Sequence, residues 1–226
     1  MKDINIAQVV TDFIALILAL CLHEAAHAFA AKRQGDTTAE QMGRLTLNPI
    51  AHMDLFGTVL MPLAAMLSGF PFLFGWAKPV PVDPRNFKSR RWGHALVAAA
   101  GPASNLVLSF VCFVILVLYG VFLSTVIGPG SFFYPLVTLI TQTMWISTVL
   151  AFFNLIPIFP LDGGAVLGAF FTMSFRRKYE EFMSRFGFVI LLLFLVSGVF
   201  RIIIYPTRAY IGCLQYLASL ILGQSL

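Results

Sequence analysis

Three ionisable residues, His23, Glu24 and His27, fall within five positions of a long apolar run. An ionisable side chain at the centre of a bilayer-spanning segment costs about 2.5–3.5 kcal/mol on insertion scales, so three together need a compensating partner. Four residues along an α-helix are a rotation of about 40° and a rise of about 6 Å. The two imidazoles therefore lie on one side, one turn apart, as two ligands of one tetrahedral metal must. Glu24 is near enough to reach a water on that metal but is offset from the ligand pair. His-Glu-x-x-His on a helix thus offers two zinc ligands and a general base. The bland alternative, a hydrogen-bonded core histidine, fits poorly with two of the four histidines sharing a helical face with an acid between them.

Catalytic zinc takes three protein ligands and keeps one position open. The third could come from Asp12, His52, Asp54, Asp83, His94 or Asp162. Asp162 stands out because Pro157, Pro160, Gly163 and Gly164 interrupt the apolar run around it. Unwound backbone at membrane depth is tolerated only where it lines a protein cavity. The competing reading is an Asp that caps a helix starting at Gly163. His52 and His94 read as loop or interfacial residues.

These residues need a scaffold, and the composition says which kind. Of 226 residues, 59% are hydrophobic and 11% charged, against about 45–50% and 25% in soluble domains. That excludes a soluble globular domain, a disordered chain and a disulfide scaffold, and leaves one integral membrane domain over residues 1–226. The net charge of +5 reflects basic loops between apolar runs and does not call for nucleic acid. Cys21, Cys112 and Cys213 all sit in apolar runs and read as packing residues. Lys2 ahead of an apolar stretch loosely resembles a signal peptide, but Asp3 cancels its charge and Asp12 intrudes. A span needs about 20 mainly apolar residues. Four segments qualify: about 6–31, 94–123, 132–158 and 186–205. A fifth, 207–226, either spans or lies in the interface. Segment 57–75 is apolar but broken by Pro62, Gly69 and Pro71. Residues 44–48 and 76–82 read as short strand-like pieces. The fold expected is an all-α polytopic helix bundle with a re-entrant hairpin.

His23-Glu-Ala-Ala-His27 and Asn154-Leu-Ile-Pro-Ile-Phe-Pro-Leu-Asp162-Gly resemble the two signatures of the site-2 protease family of intramembrane zinc metalloproteases. Gly101-Pro-Ala-Ser-Asn105 is similar to a third family element, and 74–82 to a segment of its short bacterial members. The resemblance covers about residues 10–200. It implies His23, His27 and Asp162 as ligands of one zinc per chain and Glu24 as the catalytic base. It also implies Asn154, and less directly Asn105, as substrate-binding or oxyanion residues. The implied substrates are membrane segments of membrane-anchored regulatory proteins. The chain departs from some members in lacking a PDZ or CBS domain and a helix ahead of the zinc motif, and in having Ala165 where many have Arg.

For the motifs to meet at one depth, residues 32–93 must begin and end on one side of the membrane, so 57–75 is expected to re-enter and not cross. Twelve of the fifteen Lys and Arg fall on that side, all but Lys2, Arg201 and Arg208. The positive-inside rule makes it cytoplasmic. The expected protein is a multi-pass cell-membrane protein with its N-terminus outside and its site near the cytoplasmic face. The rival reading is a metal transporter or metal-sensing membrane protein that uses the same ligands without hydrolysis.

Overall fold

A computed structural model describes residues 5–68 and 75–223. Helix α1 spans Ile6–Gln34 and is capped by Asn5, whose side chain accepts the Gln8 N–H at 3.2 Å. Two short helices follow, α2 (Thr38–Gln41) and α3 (Pro49–His52). A π-helical turn at Leu55–Leu60 runs on into α4 (Met61–Ser68). An extended strap over 75–83 and a 3₁₀ turn at Pro84–Asn86 lead to α5 (Arg90–Phe122). Then come α6 (Tyr134–Asn154), α7 (Asp162–Gly168), α8 (Met173–Val196) and α9 (Ile204–Leu222).

Helices α1, α5 and α6 are each long and apolar enough to cross a membrane. They pack against one another, with α7 laid on α5. The buried face of α1 carries Ala15, Ala19, Ala28 and Ala31. Small side chains let neighbouring backbones approach closely, which drives helix association where lipid offers no hydrophobic contrast. A second cluster joins α5, α6 and α9 through Cys112, Phe113, Met144, Ile211 and Leu214. Large apolar side chains such as Leu18, Val107, Phe110 and Leu118 point outward, as they do on helices that face acyl chains.

Two expectations need correction. Segment 186–205 is not one straight span. Helix α8 stops at Val196, Gly198 takes the left-handed conformation at φ 75°, and the pair α8–α9 is bent by 74°. Only glycine enters that conformation without a steric penalty, so the chain turns there. The described residues therefore hold three spans, or four if the bent pair counts as one. The expected fifth span becomes the second arm of that pair, and its last residues, 224–226, lie outside the described part.

Nor is there a strand among the described residues. At 44–48 the backbone groups are taken by neighbours: Arg44 N–H bonds Ala39 O, Thr46 O accepts from His52 Nε2, and Leu47 O accepts from Cys21 Sγ. In the strap, Pro79 and Pro81 have no N–H to give a ladder. Three of the donors that remain turn to helices and a side chain: Trp76 N–H to Gly57 O, Lys78 N–H to His52 O and Val80 N–H to Glu24. Arg44 Nη2 bonds Lys78 O at 2.7 Å from the other edge.

The same bonds bear on the apolar segment 57–75. Its two ends meet, Trp76 N–H on Gly57 O and Thr58 Oγ1 on Trp76 O at 2.8 Å. The described ends of the segment are therefore adjacent; residues 69–74 lie outside the described part.

The strap is anchored beyond the site by Asp36, which is fully buried just past α1. Its carboxylate accepts Asp83 N–H at 2.7 Å, Asn86 Nδ2 at 3.0 Å and both the N–H and hydroxyl of Thr38. Burial pushes this carboxyl up, but the bonds from Thr38, Asn86 and Asp83 outweigh it and hold its pKa below the ordinary 3.8. A depressed pKa stabilises the fold above the ordinary value, and that stability is lost as pH falls through the lower folded value. Hydrogen bonds to a charged group contribute about 1.5–3 kcal/mol each. Asp36→Ala should therefore speed limited proteolysis of segment 83–91 several-fold at neutral pH. In the wild type the same speeding should appear only in acid below pH 3.8, and the variant's rate should be flat across that range.

Candidate metal centre

Helix α1 carries His23 and His27 on its inner face. The rings meet edge to face with centroids 4.6 Å apart. They press on the backbone of α5 at Gly101. A Cβ there would stand 2.5 Å from His27 Nε2 and 2.6 Å from His23 Nε2, closer than real Cβ atoms come to anything, so only glycine leaves room for both rings. His27 Nδ1 lies 2.8 Å from Val97 O, one turn earlier on α5. A carbonyl only accepts, so Nδ1 carries the hydrogen and Nε2 is left with its lone pair.

Asp162 reaches the histidines from the opposite side. After α6 ends at Asn154 the chain runs irregularly to Leu161, and α7 begins at Asp162 itself. Leu161 holds the N-cap position and no side chain makes a capping bond there, so the alternative of a capping Asp is not what the geometry shows. The carboxylate turns inward instead. Oδ2 lies 3.1 Å from His23 Nε2 and Oδ1 3.4 Å from His27 Nε2. Asp162 Oδ2 is buried and accepts no hydrogen bond of proper geometry. The loop is held by Tyr179, whose hydroxyl donates to Pro157 O at 3.2 Å, and α7 by Arg91, whose Nε donates to Ala169 O.

Glu24 completes the group. One ligand atom from each of His23, Glu24 and His27 falls within 4.8 Å of the others, and among the described residues this is the one such cluster of His, Cys, Asp or Glu. Glu24 Oε2 accepts Val80 N–H from the strap at 3.0 Å. All four side chains line a cavity of about 500 Å³, together with Asn154 and His94. Asn154 Nδ2 donates to Leu150 O at 2.9 Å, which leaves its Oδ1 for the cavity. Asn105 is not at the cavity wall: it is fully buried behind His23, with Nδ2 3.1 Å from His23 Nδ1.

The other residues considered for the third ligand have other partners. Asp12 bonds Gln8, Asp54 caps the π-helical turn, Asp83 pairs with Arg85, and His52 bonds Thr46 O. His94 lines the cavity but its Nδ1 meets Arg176 Nη2 at 3.1 Å. Gly101 and the two backbone groups, Val97 O and Val80 N–H, were not singled out from the sequence as parts of the site. Gly101 and Asn105 were legible in principle, since a spacing of four puts them on the face that meets α1. Backbone groups leave no residue-type signal.

The arrangement suits zinc. Tetrahedral Zn with Zn–N of about 2.0–2.1 Å puts neighbouring ligand atoms about 3.3 Å apart, and each Nε2 has one Asp162 oxygen near that distance, Oδ2 at 3.1 Å from His23 and Oδ1 at 3.4 Å from His27. A buried carboxylate oxygen beside a histidine and without a hydrogen bond suits shared ligation of a cation.

The peptidase family M50 model matches residues 12–144 and 124–195. The chain belongs to peptidase family M50. It is 39% identical over 200 residues to the Bacillus subtilis (strain 168) protein named "Putative zinc metalloprotease YwhC", across 85% of this chain and 83% of that one. It is 29% identical over 208 residues to "Putative zinc metalloprotease Rip2" of Mycolicibacterium smegmatis, across 90% and 74%. Rip2 of Mycobacterium tuberculosis is 29% identical over 192 residues. No solved structure matches the chain. The M50 assignment agrees with the site-2 protease resemblance and makes this a zinc metalloprotease-type membrane protein.

Because Gly101 makes room for both rings, Gly101→Ala should displace them. Zinc bound per purified chain should fall well below that of the wild type while the circular dichroism stays helical. Full zinc content in that variant would show that the rings can move aside and that the contact is incidental.

Proposed function

We propose that the chain is a zinc-dependent intramembrane endopeptidase that cleaves membrane segments of membrane-anchored proteins. One observation carries the reading: His23, His27 and Asp162 converge beside Glu24 in a cavity at the ends of apolar helices. His23, His27 and Asp162 would hold one zinc. Zinc in that place supplies Lewis acidity and a water that ionises near neutral pH. Glu24 takes the proton of the attacking water and delivers it to the leaving amine. Its Oε2 is fixed by Val80 N–H, so the carboxylate keeps one orientation while its other oxygen works. Asn154 has a free Oδ1 and a partly engaged amide at the cavity wall, suited to hold substrate backbone or, with its NH₂ turned, a developing oxyanion. The substrate must arrive unwound, because a helix hides its carbonyls in its own bonds.

The end of α1 and the residue that follows the α6 loop meet the start of α5 at the site, and the two described ends of 57–75 lie side by side, which supports a re-entrant segment. With twelve basic residues on that side, the positive-inside rule supports a cytoplasmic placement and an external N-terminus. The transporter or sensor reading has less support. It calls for further ionisable groups along a path through the bilayer, and the described residues hold one metal-type cluster.

Glu24→Gln separates base from ligand. Gln keeps the acceptor for Val80 N–H but takes no proton. Cleavage of a model membrane-segment substrate should drop about 10²–10⁴-fold, with zinc content unchanged. Zinc lost together with activity would make Glu24 a ligand and favour the transporter or sensor.

Sidedness has its own test. Lys88→Cys, in a chain whose Cys21, Cys112 and Cys213 are replaced by alanine, should react with an impermeant maleimide only from the cytoplasmic side. Labelling from outside would invert the topology.

A further inference from the structure

The two histidines do not have equivalent neighbours. His27 Nδ1 faces a carbonyl, Val97 O, at 2.8 Å, which admits one tautomer. His23 Nδ1 faces a primary amide, Asn105, which can present either a donor or an acceptor. As placed, Asn105 Nδ2 points at His23 Nδ1 across 3.1 Å, and Asn105 Oδ1 is buried with no partner. Oxygen and nitrogen of an amide have the same shape, so a half-turn about the last side-chain bond exchanges them.

The two orientations have opposite consequences. With NH₂ toward the ring, Nδ1 must accept and the ring's hydrogen sits on Nε2. That hydrogen occupies the Asp162 side of the ring, where Oδ2 stands 3.1 Å from Nε2 without hydrogen-bond geometry, and Nε2 has no lone pair to give. With Oδ1 toward the ring, Nδ1–H donates to it, the orphaned oxygen gains a donor, and Nε2 offers its lone pair in the same direction as His27 Nε2. Metal-ligating histidines are held in this way, with the far ring N–H on an acceptor that fixes tautomer and orientation.

Resting on the zinc reading of His23, His27 and Asp162, we propose that Asn105 is a positioning residue that selects the ligating tautomer of His23. It touches neither substrate nor water, and turning its amide decides whether His23 Nε2 carries a hydrogen or offers a lone pair to the metal. Its burial fits this role: at 0% exposure on α5, one turn beyond Gly101, it is out of reach of a chain in the cavity. This differs from a substrate-binding or oxyanion role, which needs an amide at the cavity wall.

The test measures zinc affinity by chelator competition on the purified full chain, with the absorption spectrum of the cobalt-loaded protein as a second readout. Asn105→Ala should weaken zinc about 10–100-fold and alter the cobalt spectrum. Asn105→Asp keeps an acceptor for Nδ1–H and should restore affinity to within a few-fold. Nitrogen-15 histidine spectra of zinc-free protein should show His23 with its hydrogen on Nδ1 in Asn105→Asp, which does not depend on metal loading. Wild-type affinity and cobalt spectrum in Asn105→Ala, with only cleavage reduced, would overturn the proposal and return Asn105 to a substrate role. An Asn105→Asp variant as weak as the alanine one would overturn it too. His23→Ala is the control: if that chain kept full zinc, the ligand set itself would be wrong, a failure distinct from that of the Asn105 proposal.

Discussion

The contact between two imidazoles of α1 and bare backbone of α5 at Gly101 governs the rest of the structure. Everything polar in the site follows from how closely those helices approach. A Cβ at position 101 would stand 2.5–2.6 Å from the two rings, so the rings or α5 would have to give way. Then Val97 O would leave hydrogen-bond range of His27, and Asn105 that of His23. The buried alanines of α1, at 15, 19, 28 and 31, likewise let its neighbours come close along its length. In a bilayer no hydrophobic contrast drives helices together, so close packing of small residues has to do it. Precision in the metal centre is therefore a by-product of the rule that holds the bundle together.

The second constraint is that backbone groups away from water must find partners within the protein. A helix meets it internally, but the strap over 75–83 cannot. It meets the requirement by placing prolines at 79 and 81 and sending three of the remaining donors to Gly57 O, His52 O and Glu24. One bond thus serves both purposes: Val80 N–H is satisfied, and the Glu24 carboxylate beside the two histidines is held still. The loop from 154 to 161 uses the same economy on the other side, since its end delivers Asp162.

How much of this could be read from residue order depends on the range of the interaction. His23, Glu24 and His27 were legible because helical periodicity fixes their relation within one turn. Asp162 was legible because prolines and glycines mark the broken backbone that carries it. Helices α1, α5 and α6 were legible from apolar length, though α6 stops at 154 and not 158, where Pro157 and the irregular turn begin. What failed turned on single residues or long-range partners. Residues 76–82 read as an extended edge strand or turn because two prolines two apart are what the sequence shows; that the partners of this extended strap are helices and a carboxylate is tertiary information. The break at Gly198 was invisible in a run whose hydropathy barely changes. Asn105 could be paired with Gly101 by spacing, but not with His23, which is 82 residues away.

The site also shows why its acids and bases take support from backbone and amide groups and not from charged side chains. His27 leans on Val97 O, Glu24 on Val80 N–H, and His23 on the Asn105 amide. A charged partner behind each ligand would have to be desolvated along with it, at several kcal/mol per ion. A carbonyl or amide orients the ring at far smaller cost and leaves the net charge of the pocket to Asp162, Glu24 and whatever cation sits between them. The charged side chain that does come close, Arg176, stands at the connector, where it meets His94 and Glu180. Charge is thus concentrated on the side chains that face the cavity, and neutral dipoles hold them in place.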